Sequence, residues 1–239
     1  MTINIFKTEP ELLSALAMYF IKIAKQAIEE QGAFSVALAG GNSPKKLYEL
    51  LVSTEYKNQA DWSKINFFLG DERYVPADDP QSNARMIQKS LLEPLNISES
   101  QFFKINTTLP PDEAAKQYNE TIGDHFKNTP IRFDLVLLGL GANAHTASLF
   151  PFTSVLAEPT ATIKAVFIAE QNSCRITMTA PMINQSKHIA FLVYGKEKAE
   201  AVYHVLKDVH NVEKYPAQLI HPADGEVQWF LDEDAASLL

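Results

Sequence analysis

Residues 139–151, GLGANAHTASLFP, place an ionisable imidazole, His145, directly after a turn of small residues. The apolar run FDLVLL precedes this turn, so the pattern predicts a strand that ends at Gly139 and a helix that begins after the turn. The unperturbed pKa of histidine lies near neutrality, and His145 could therefore take a proton from water at pH 7. A capping or buried structural role is the more common alternative for a single histidine. Other polar residues converging on it would favour chemistry.

Three more apolar runs end in glycine and polar residues. FSVALA leads into GGNSPKK, INFFL into GDER, and IAFLVY into GKEKA. Because ligands of open parallel sheets bind beyond the carboxyl ends of the strands, the polar residues of all four turns should face one site. These residues are Asn42, Ser43, Asp71, Glu72, Arg73, Asn143, His145, Lys196 and Lys198. Cations, a base and turn amides together suit a small, oxygen-rich anion.

Taken singly, each turn also has an ordinary structural interpretation. GGNSPKK could hold phosphate on backbone N–H groups at a helix start, although it is not a Walker A loop and could be a tight turn only. Asp71 and Arg73 would share one face of an extended segment, where they could also form a structural ion pair. Lys198 could bind an anion or lie on the surface. Ser148 is not part of a GxSxG elbow and is predicted as a helix residue or a ligand hydrogen-bonder.

Alternating strands and helices are needed to position these turns. Thr8 and Pro10 mark a helix start, and Gly32 marks its end. The apolar strands predict an α/β fold, with a mainly parallel sheet and helices on both faces in three layers. Val227 to Asp232 is predicted as a last strand at an edge. Because no repeat or linker divides the chain, residues 1–239 are predicted to form a single domain.

Composition limits the partners. The chain has 29 acidic and 21 basic residues and a net charge of -8, which disfavours nucleic acid and anionic membranes as partners. The N-terminus has no basic segment followed by an apolar run, so no signal peptide is predicted and a soluble, cytoplasmic protein is expected. The single cysteine, Cys174, cannot form an internal disulfide and is predicted to be a small buried residue.

Metal and dinucleotide sites are not favoured. The six histidines are dispersed without metal-ligand spacing, so no metal is predicted. Gly139, Gly141 and Ala144 match the GxGxxA dinucleotide pattern, but Glu158, an acid at about the required 20 residues, follows no predicted strand. A nicotinamide or flavin site is therefore poorly supported, and no cofactor is predicted.

Six runs along the chain resemble the 6-phosphogluconolactonase family: ALAGGNSPKKLYELL, FFLGDERYVPADDPQSNARM, FDLVLLGLGANAHTASLFP, RITMTAPMIN, GKEKA and the closing PAQLI with its downstream W and LD. They occur in the family's order and cover most of the chain. The family is similar to the glucosamine-6-phosphate deaminases and has a Rossmann-like α/β core. The resemblance implies hydrolysis of 6-phospho-D-glucono-1,5-lactone to 6-phosphogluconate in the pentose phosphate pathway, without metal or cofactor.

The resemblance also implies roles for individual residues. His145 would be the general base, Arg73 would face the lactone, and Arg175 and Lys198 would bind phosphate together with the glycine turn. The predicted catalytic residues are thus His145, Arg73, Asp71 and Asn143, and the predicted substrate-binding residues are Gly40, Gly41, Asn42, Ser43, Gly141, Arg175 and Lys198. The expected partner is a small phosphorylated sugar lactone, and the expected state is a monomer or weak homodimer.

The sequence departs from the family in the histidine loop. The family usually has Asp-Gly-His or Asp-Ala-His there, whereas this chain has Asn143-Ala144-His145. A carboxylate would raise the basicity of the imidazole, but Asn143 can only orient it. We therefore expect Asp71 or another acid to support His145. Ala144 is expected to have a negative φ, because glycine alone adopts positive φ without cost.

Two other functions stay open. A deaminase or isomerase of amino-sugar phosphates is the nearest alternative enzyme, but it uses the loop aspartate that Asn143 replaces. A non-catalytic sugar-phosphate-binding module would tolerate the loss of that acid. Such sensors usually carry a DNA-binding domain, however, for which this acidic single-domain chain leaves no room. The joint presence of His145 and Arg73 favours catalysis.

Overall fold

The computed structural model describes residues 1–127 and 129–239. The strands found in these residues are β1 (Thr2–Phe6), β2 (Phe34–Leu38), β3 (Ile65–Leu69), β4 (Asp71–Arg73), β5 (Phe102–Phe103), β6 (Leu135–Leu138), β7 (Ile163–Ile168), β8 (Ser173–Met178), β9 (His188–Val193) and β10 (Glu226–Asp232). The α-helices are α1 (Glu9–Gln31), α2 (Asn42–Leu51), α3 (Asn83–Ile87), α4 (Pro111–His125), α5 (Ala180–Asn184) and α6 (Ala199–Leu206). Elements of both kinds alternate along most of the chain.

A seven-stranded sheet forms the centre of the fold, in the order β1-β10-β9-β6-β2-β3-β5, and all its neighbouring strands are parallel. Every residue of β2 and β6 is buried, because helices flank the sheet and both faces of its central strands are covered. The predicted α/β class is confirmed. The predicted edge position of β10 is wrong: β10 pairs with β1 on one side and β9 on the other. The short, half-exposed β1 was not detected in the sequence, and it forms that edge.

Helix α1 has the predicted boundaries. The Thr8 hydroxyl accepts a hydrogen bond from the N–H of Glu11, and Pro10 lies in the first turn. Gly32 ends the helix in the left-handed conformation, φ 83°, with its N–H bonded to the carbonyl of Ile28. The apolar face of α1 is buried in the core, so capping and burial both act at the positions that the sequence indicated. No helix in the described part of the chain is both long and apolar enough to cross a membrane.

A second, three-stranded antiparallel sheet, β4-β8-β7, was not predicted. It adjoins the carboxyl ends of β2 and β3: Gly70, between β3 and β4, donates its N–H to Leu38 and accepts the N–H of Met178. β4 has three charged residues, and β7 and β8 are partly exposed, so these strands lack the continuous apolar runs that marked the central strands. This sheet joins the DER and RIT motifs, which are far apart in sequence.

The segment after β6 differs from the prediction. No helix follows Gly141; residues 139–153 form a series of turns instead. Ala144, Ala147 and Phe152 have φ of 59°, 47° and 59°. Because left-handed residues interrupt a right-handed helix, this loop cannot continue as one.

Candidate active site

A cavity of about 260 Å³ opens at the carboxyl ends of β2, β3, β6 and β9. All of the predicted site residues except Asn143 line it: Gly40, Gly41, Asn42, Ser43, Asp71, Arg73, Gly141, His145, Arg175 and Lys198. Lys196 and Glu72, which also belonged to the four turns, do not line it. The turns therefore converge at one edge, as the topology of a parallel sheet requires.

The imidazole of His145 has a defined orientation. Its Nδ1 lies 2.5 Å from the Oδ1 of Asn143, an exposed residue of the loop. Because an amide oxygen only accepts hydrogen bonds, Nδ1 carries the proton and donates it to Asn143. The lone pair then resides on Nε2. Asn143 thus acts on the histidine from outside the cavity.

Two neighbours fix the plane of the imidazole. A Cβ atom at Gly141 would lie 2.1 Å from Nδ1 of His145, so only glycine leaves room for the ring. On its other side the imidazole stacks on Phe150, with ring centroids 3.9 Å apart and an interplanar angle of 16°. The small residue of the motif is therefore explained by the space that the ring occupies.

The backbone of the loop is held in an unfavourable conformation. Ala144 has φ 59°, so the expectation of a negative φ is wrong. Its N–H donates to Gly141, and its carbonyl accepts the N–H of Ala217, 3.0 Å away. Phe152, also left-handed, donates its N–H to the carbonyl of Glu213. Left-handed alanine costs about 1–2 kcal/mol, which these hydrogen bonds and the burial of Ala144 offset.

Two arginines lie side by side on neighbouring strands of the small sheet. Arg73 of β4 and Arg175 of β8 are directly opposite partners in the antiparallel register. Like charges in that position repel, and burial together with Arg73 lowers the pKa of Arg175. The buried Nε of Arg175 has no hydrogen-bond partner. None of the ion pairs found in the described residues involves Arg73, Arg175 or Lys198.

Asp71, the first acid of the GDER turn, does not contact His145. Asp71 accepts the hydroxyl proton of Ser148 at 2.6 Å and a longer hydrogen bond from Asn83. The expectation that Asp71 supports His145 is therefore wrong, because its oxygens are used elsewhere in a buried network and the imidazole is bonded to Asn143. Ser148, predicted as a helix residue or a ligand hydrogen-bonder, lies in a turn and is fully buried.

Sequence analysis missed two amides that hold the arginines. Asn83, in the first turn of α3, accepts a hydrogen bond from Arg73 and donates one to the backbone carbonyl of Asp71. A Cβ atom at Gly40 would overlap the Asn83 side chain, so the glycine of the GG turn makes room for this amide. Gln171 accepts a hydrogen bond from Arg175 at 2.5 Å. The SN pair in the DER run was the available signal for Asn83, whereas Gln171 had none.

The GG turn has the form of an anion-binding helix start. Gly41 precedes α2 with φ 99° and provides no side chain to cap the helix. The N–H groups of Asn42 and Ser43, at the positive end of the helix dipole, have no intrahelical partner. They line the same cavity as Arg175 and Lys198. Together these groups can hold a phosphate dianion.

The environment of His145 favours its neutral form. Burial, and then the positive charges of Arg175, Lys198 and Arg73, lower the pKa of His145 to about 4. At pH 7 the imidazole is therefore neutral, with a free lone pair, as a general base requires. No group of three or more His, Cys, Asp and Glu side chains suited to a metal ion occurs among the residues described.

Comparison with known proteins identifies the family of this chain. Residues 7–229 match the family model of glucosamine-6-phosphate isomerases/6-phosphogluconolactonase. A 6-phosphogluconolactonase from Synechocystis is 37% identical over 231 residues, which cover 94% of this chain and 92% of that protein. The protein therefore belongs to the glucosamine-6-phosphate isomerase/6-phosphogluconolactonase family.

Solved structures agree with this assignment. The 6-phosphogluconolactonase from Trypanosoma cruzi superposes with a TM-score of 0.89 at 26% identity, over 100% of this chain and 96% of that chain. A monomeric glucosamine-6-phosphate deaminase superposes with a TM-score of 0.85 at 25% identity, over the full length of both chains. Both branches of the family thus share the fold of this protein.

Proposed function

We propose that the protein hydrolyses 6-phospho-D-glucono-1,5-lactone to 6-phospho-D-gluconate, as the names of its relatives state for them. The observation that carries this proposal is that a neutral histidine and three unpaired cations line one cavity. The lactone carbonyl needs a deprotonated water, a positive group for its developing oxyanion, and an anchor for the phosphate. We further propose that residues 1–239 act as a single domain.

The reaction begins with proton transfer from water to Nε2 of His145. The oxygen of that water forms a bond to C1, and the carbonyl electrons move onto the oxygen, where Arg73 stabilises the negative charge. Collapse of this intermediate breaks the bond between C1 and the ring oxygen. The imidazolium of His145 returns its proton to the leaving ring oxygen, and the new carboxylic acid ionises. Nδ1–H remains bonded to Asn143 throughout.

The phosphate fixes the position of the ring. Arg175, Lys198 and the N–H groups of Asn42 and Ser43 bind the phosphate at one end of the cavity. Arg73 and His145 then lie at the lactone end. Holding C1 beside the water converts an encounter in solution into a step within one complex, which lowers the barrier by restricting motion.

The first test generates the phosphorylated lactone in situ and follows its loss with and without protein, subtracting the spontaneous rate. Wild type should show rapid hydrolysis, and His145→Ala should lose it. His210→Ala is the matched control, because His210 is exposed and does not line the cavity. No hydrolysis by folded wild type would contradict the proposed activity.

The overlap with a glucosamine-6-phosphate deaminase supports a second candidate function, deamination and isomerisation of an amino-sugar phosphate. That reaction releases ammonia, which a coupled assay detects. Because Asn143 replaces the loop acid of deaminases, we expect no ammonia from glucosamine 6-phosphate. Thermal stabilisation by 6-phosphogluconate without any turnover would instead indicate the third possibility, a non-catalytic binding module.

A further inference from the structure

The residues around His145 carry more positive than negative charge, since three cations and the single acid Asp71 line the cavity. Arg73 comes from β4, Arg175 from β8 and Lys198 from the 3-10 helix before α6, and all three line the cavity that the imidazole faces. Arg175 also lies over the ring of Phe150, 5.9 Å from its centroid, while that ring stacks on His145. The cations and the base are therefore parts of one cluster.

Two acids lie close to this cluster and act on Arg175 by charge, but neither forms an ion pair with it among the described residues. Asp71 is bonded to Ser148, and Glu72 accepts the backbone N–H groups of Asn83 and Ala84. The loop position that is acidic in the resembling family is the uncharged Asn143. The segment 211–217 contacts the histidine loop through backbone groups, with the charged side chains of Glu213 and Lys214 exposed.

We propose that the phosphate of the substrate is the electrostatic partner of His145: by binding to Arg175 and Lys198, it makes the imidazole a stronger base. The proposal rests on the proposed function and extends it, because the phosphate then acts on the chemical step as well as on binding. A dianion bound to Arg175 and Lys198 offsets the positive potential of these two groups, which opposes protonation of His145. Asn143 is explained as well, since the negative charge arrives with the substrate.

The rate of lactone hydrolysis should therefore be higher when a phosphate group occupies its site than when that site is empty. These two states can be compared when the lactone ring and the phosphate group are supplied as separate molecules. Glucono-1,5-lactone has no phosphate, and phosphite dianion is a small mimic of the missing group. We expect phosphite to raise the protein-catalysed hydrolysis of glucono-1,5-lactone saturably, by about tenfold or more, the scale of coupling between two sites. Protein-free mixtures correct for spontaneous and phosphite-catalysed hydrolysis.

Variants test which residues are responsible for the activation by phosphite. Lys198→Ala should weaken the activation by phosphite. Lys196→Ala is its matched control, because Lys196 lies on the same short helix and does not line the cavity. Asn143→Asp supplies a carboxylate to His145 from the protein, so it should hydrolyse glucono-1,5-lactone faster without phosphite and respond less when phosphite is added.

An NMR titration measures the base directly, independently of turnover. The pKa of the His145 imidazole, assigned by the signal lost in His145→Gln, should rise when phosphite is present. In Lys198→Ala the pKa should start higher, and phosphite should raise it less.

The outcomes separate the two proposals. If wild type hydrolyses the phosphorylated lactone but phosphite leaves both the rate on glucono-1,5-lactone and the pKa of His145 unchanged, the electrostatic partnership is wrong and the lactonase activity survives. If phosphite raises that pKa while the phosphorylated lactone is not hydrolysed, the partnership survives and the lactonase activity is wrong. Equal activation of wild type and Asn143→Asp would overturn the explanation of Asn143.

Discussion

The amino ends of the central strands (the amino edge) and their carboxyl ends (the carboxyl edge) each hold a buried polar cluster with a histidine. The two clusters differ in how their charged and hydrogen-bonding groups are paired. At the amino edge, His125 Nε2 lies 2.9 Å from the hydroxyl of Ser35. Asp134 beside them accepts hydrogen bonds from the N–H of Ser35 and from Gln31, and forms an ion pair with Lys187 at 2.8 Å. Charge and hydrogen bonds balance within the protein there.

At the carboxyl edge the balance is absent. Arg73 and Arg175 repel each other, the Nε of Arg175 is unpaired, and Lys198 has no acidic partner in the ion pairs of the described residues. Burial lowers the pKa of both His125 and His145, so a shifted pKa alone does not distinguish them. The absence of ion pairs distinguishes them: among the described residues the three cations near His145 form none, so an anionic ligand can bind to them.

The largest expected effect compares these two histidines. His145→Ala should lower kcat for the phosphorylated lactone by about 10²–10⁴-fold, the usual contribution of a general base, with little change in stability. His125→Ala should retain kcat and lose about 1–3 kcal/mol of unfolding free energy, because Ser35 loses its partner inside the fold. Kinetics and urea unfolding of both variants check this. An equal loss of activity in the two variants would contradict the assignment of a catalytic role to His145 and a structural role to His125.

Replacing a cation at the carboxyl edge should mainly lower activity, whereas replacing one at the amino edge should mainly lower stability. Arg73→Met removes the proposed oxyanion partner and should lower kcat by about 10²–10³-fold. Because relief of the repulsion with Arg175 opposes the loss of the hydrogen bond to Asn83, its removal should cost little stability. Lys187→Met leaves Asp134 with one partner fewer and should cost about 1–2 kcal/mol of unfolding free energy with kcat unchanged. A large loss of stability in Arg73→Met alone would show that its role is structural.

The pH profile tests the charge on the histidine loop. In Asn143→Asp a carboxylate beside Nδ1 stabilises the imidazolium and raises the pKa of His145 above about 4. The base is lost when it is protonated, so activity should begin to fall at a higher pH on acidification. Activity at neutral pH should be kept or raised. Measuring kcat from pH 4 to 9 checks this, and a folded variant that is inactive at neutral pH would contradict it.

The smallest effect concerns the left-handed residue of the loop. Ala144→Gly relieves the positive φ but loses a buried methyl group, so the unfolding free energy should change by less than about 1 kcal/mol. Ala144→Val should lose both stability and activity, because a β-branched side chain tolerates this φ poorly. Thermal unfolding and kinetics of the two variants check the contrast. A neutral valine variant would mean that the loop relaxes easily.

The sequence predicted the parts of the fold that depend on neighbouring residues. Buried parallel strands are near-continuous apolar runs, and a glycine after each run marks its carboxyl end, so β2, β3, β6 and β9 were found. The capping residues Thr8 and Gly32 determined the bounds of α1. Convergence of the four turns followed from the rule for parallel sheets, without knowledge of any contact.

The rest depends on contacts between distant parts of the chain. The small sheet was missed because pairing of β4 with β8 leaves no local periodic pattern. The hydrogen bonds of Asp71, Asn83 and Gln171 join residues whose partners the sequence does not indicate. The conformation of Ala144 was predicted from intrinsic preference, but hydrogen bonds to Gly141 and Ala217 determine it instead.

Two backbone hydrogen bonds, from the N–H of Ala217 to Ala144 and from the N–H of Phe152 to Glu213, have a consequence for protein engineering. Residues 139–152 hold the histidine, but their shape is completed by a segment much later in the chain. A graft of this loop into another family member would transfer the imidazole without its orientation unless the segment 211–217 were transferred with it. The transferable unit of this active site is therefore a pair of segments, and exchange between relatives should proceed by such pairs.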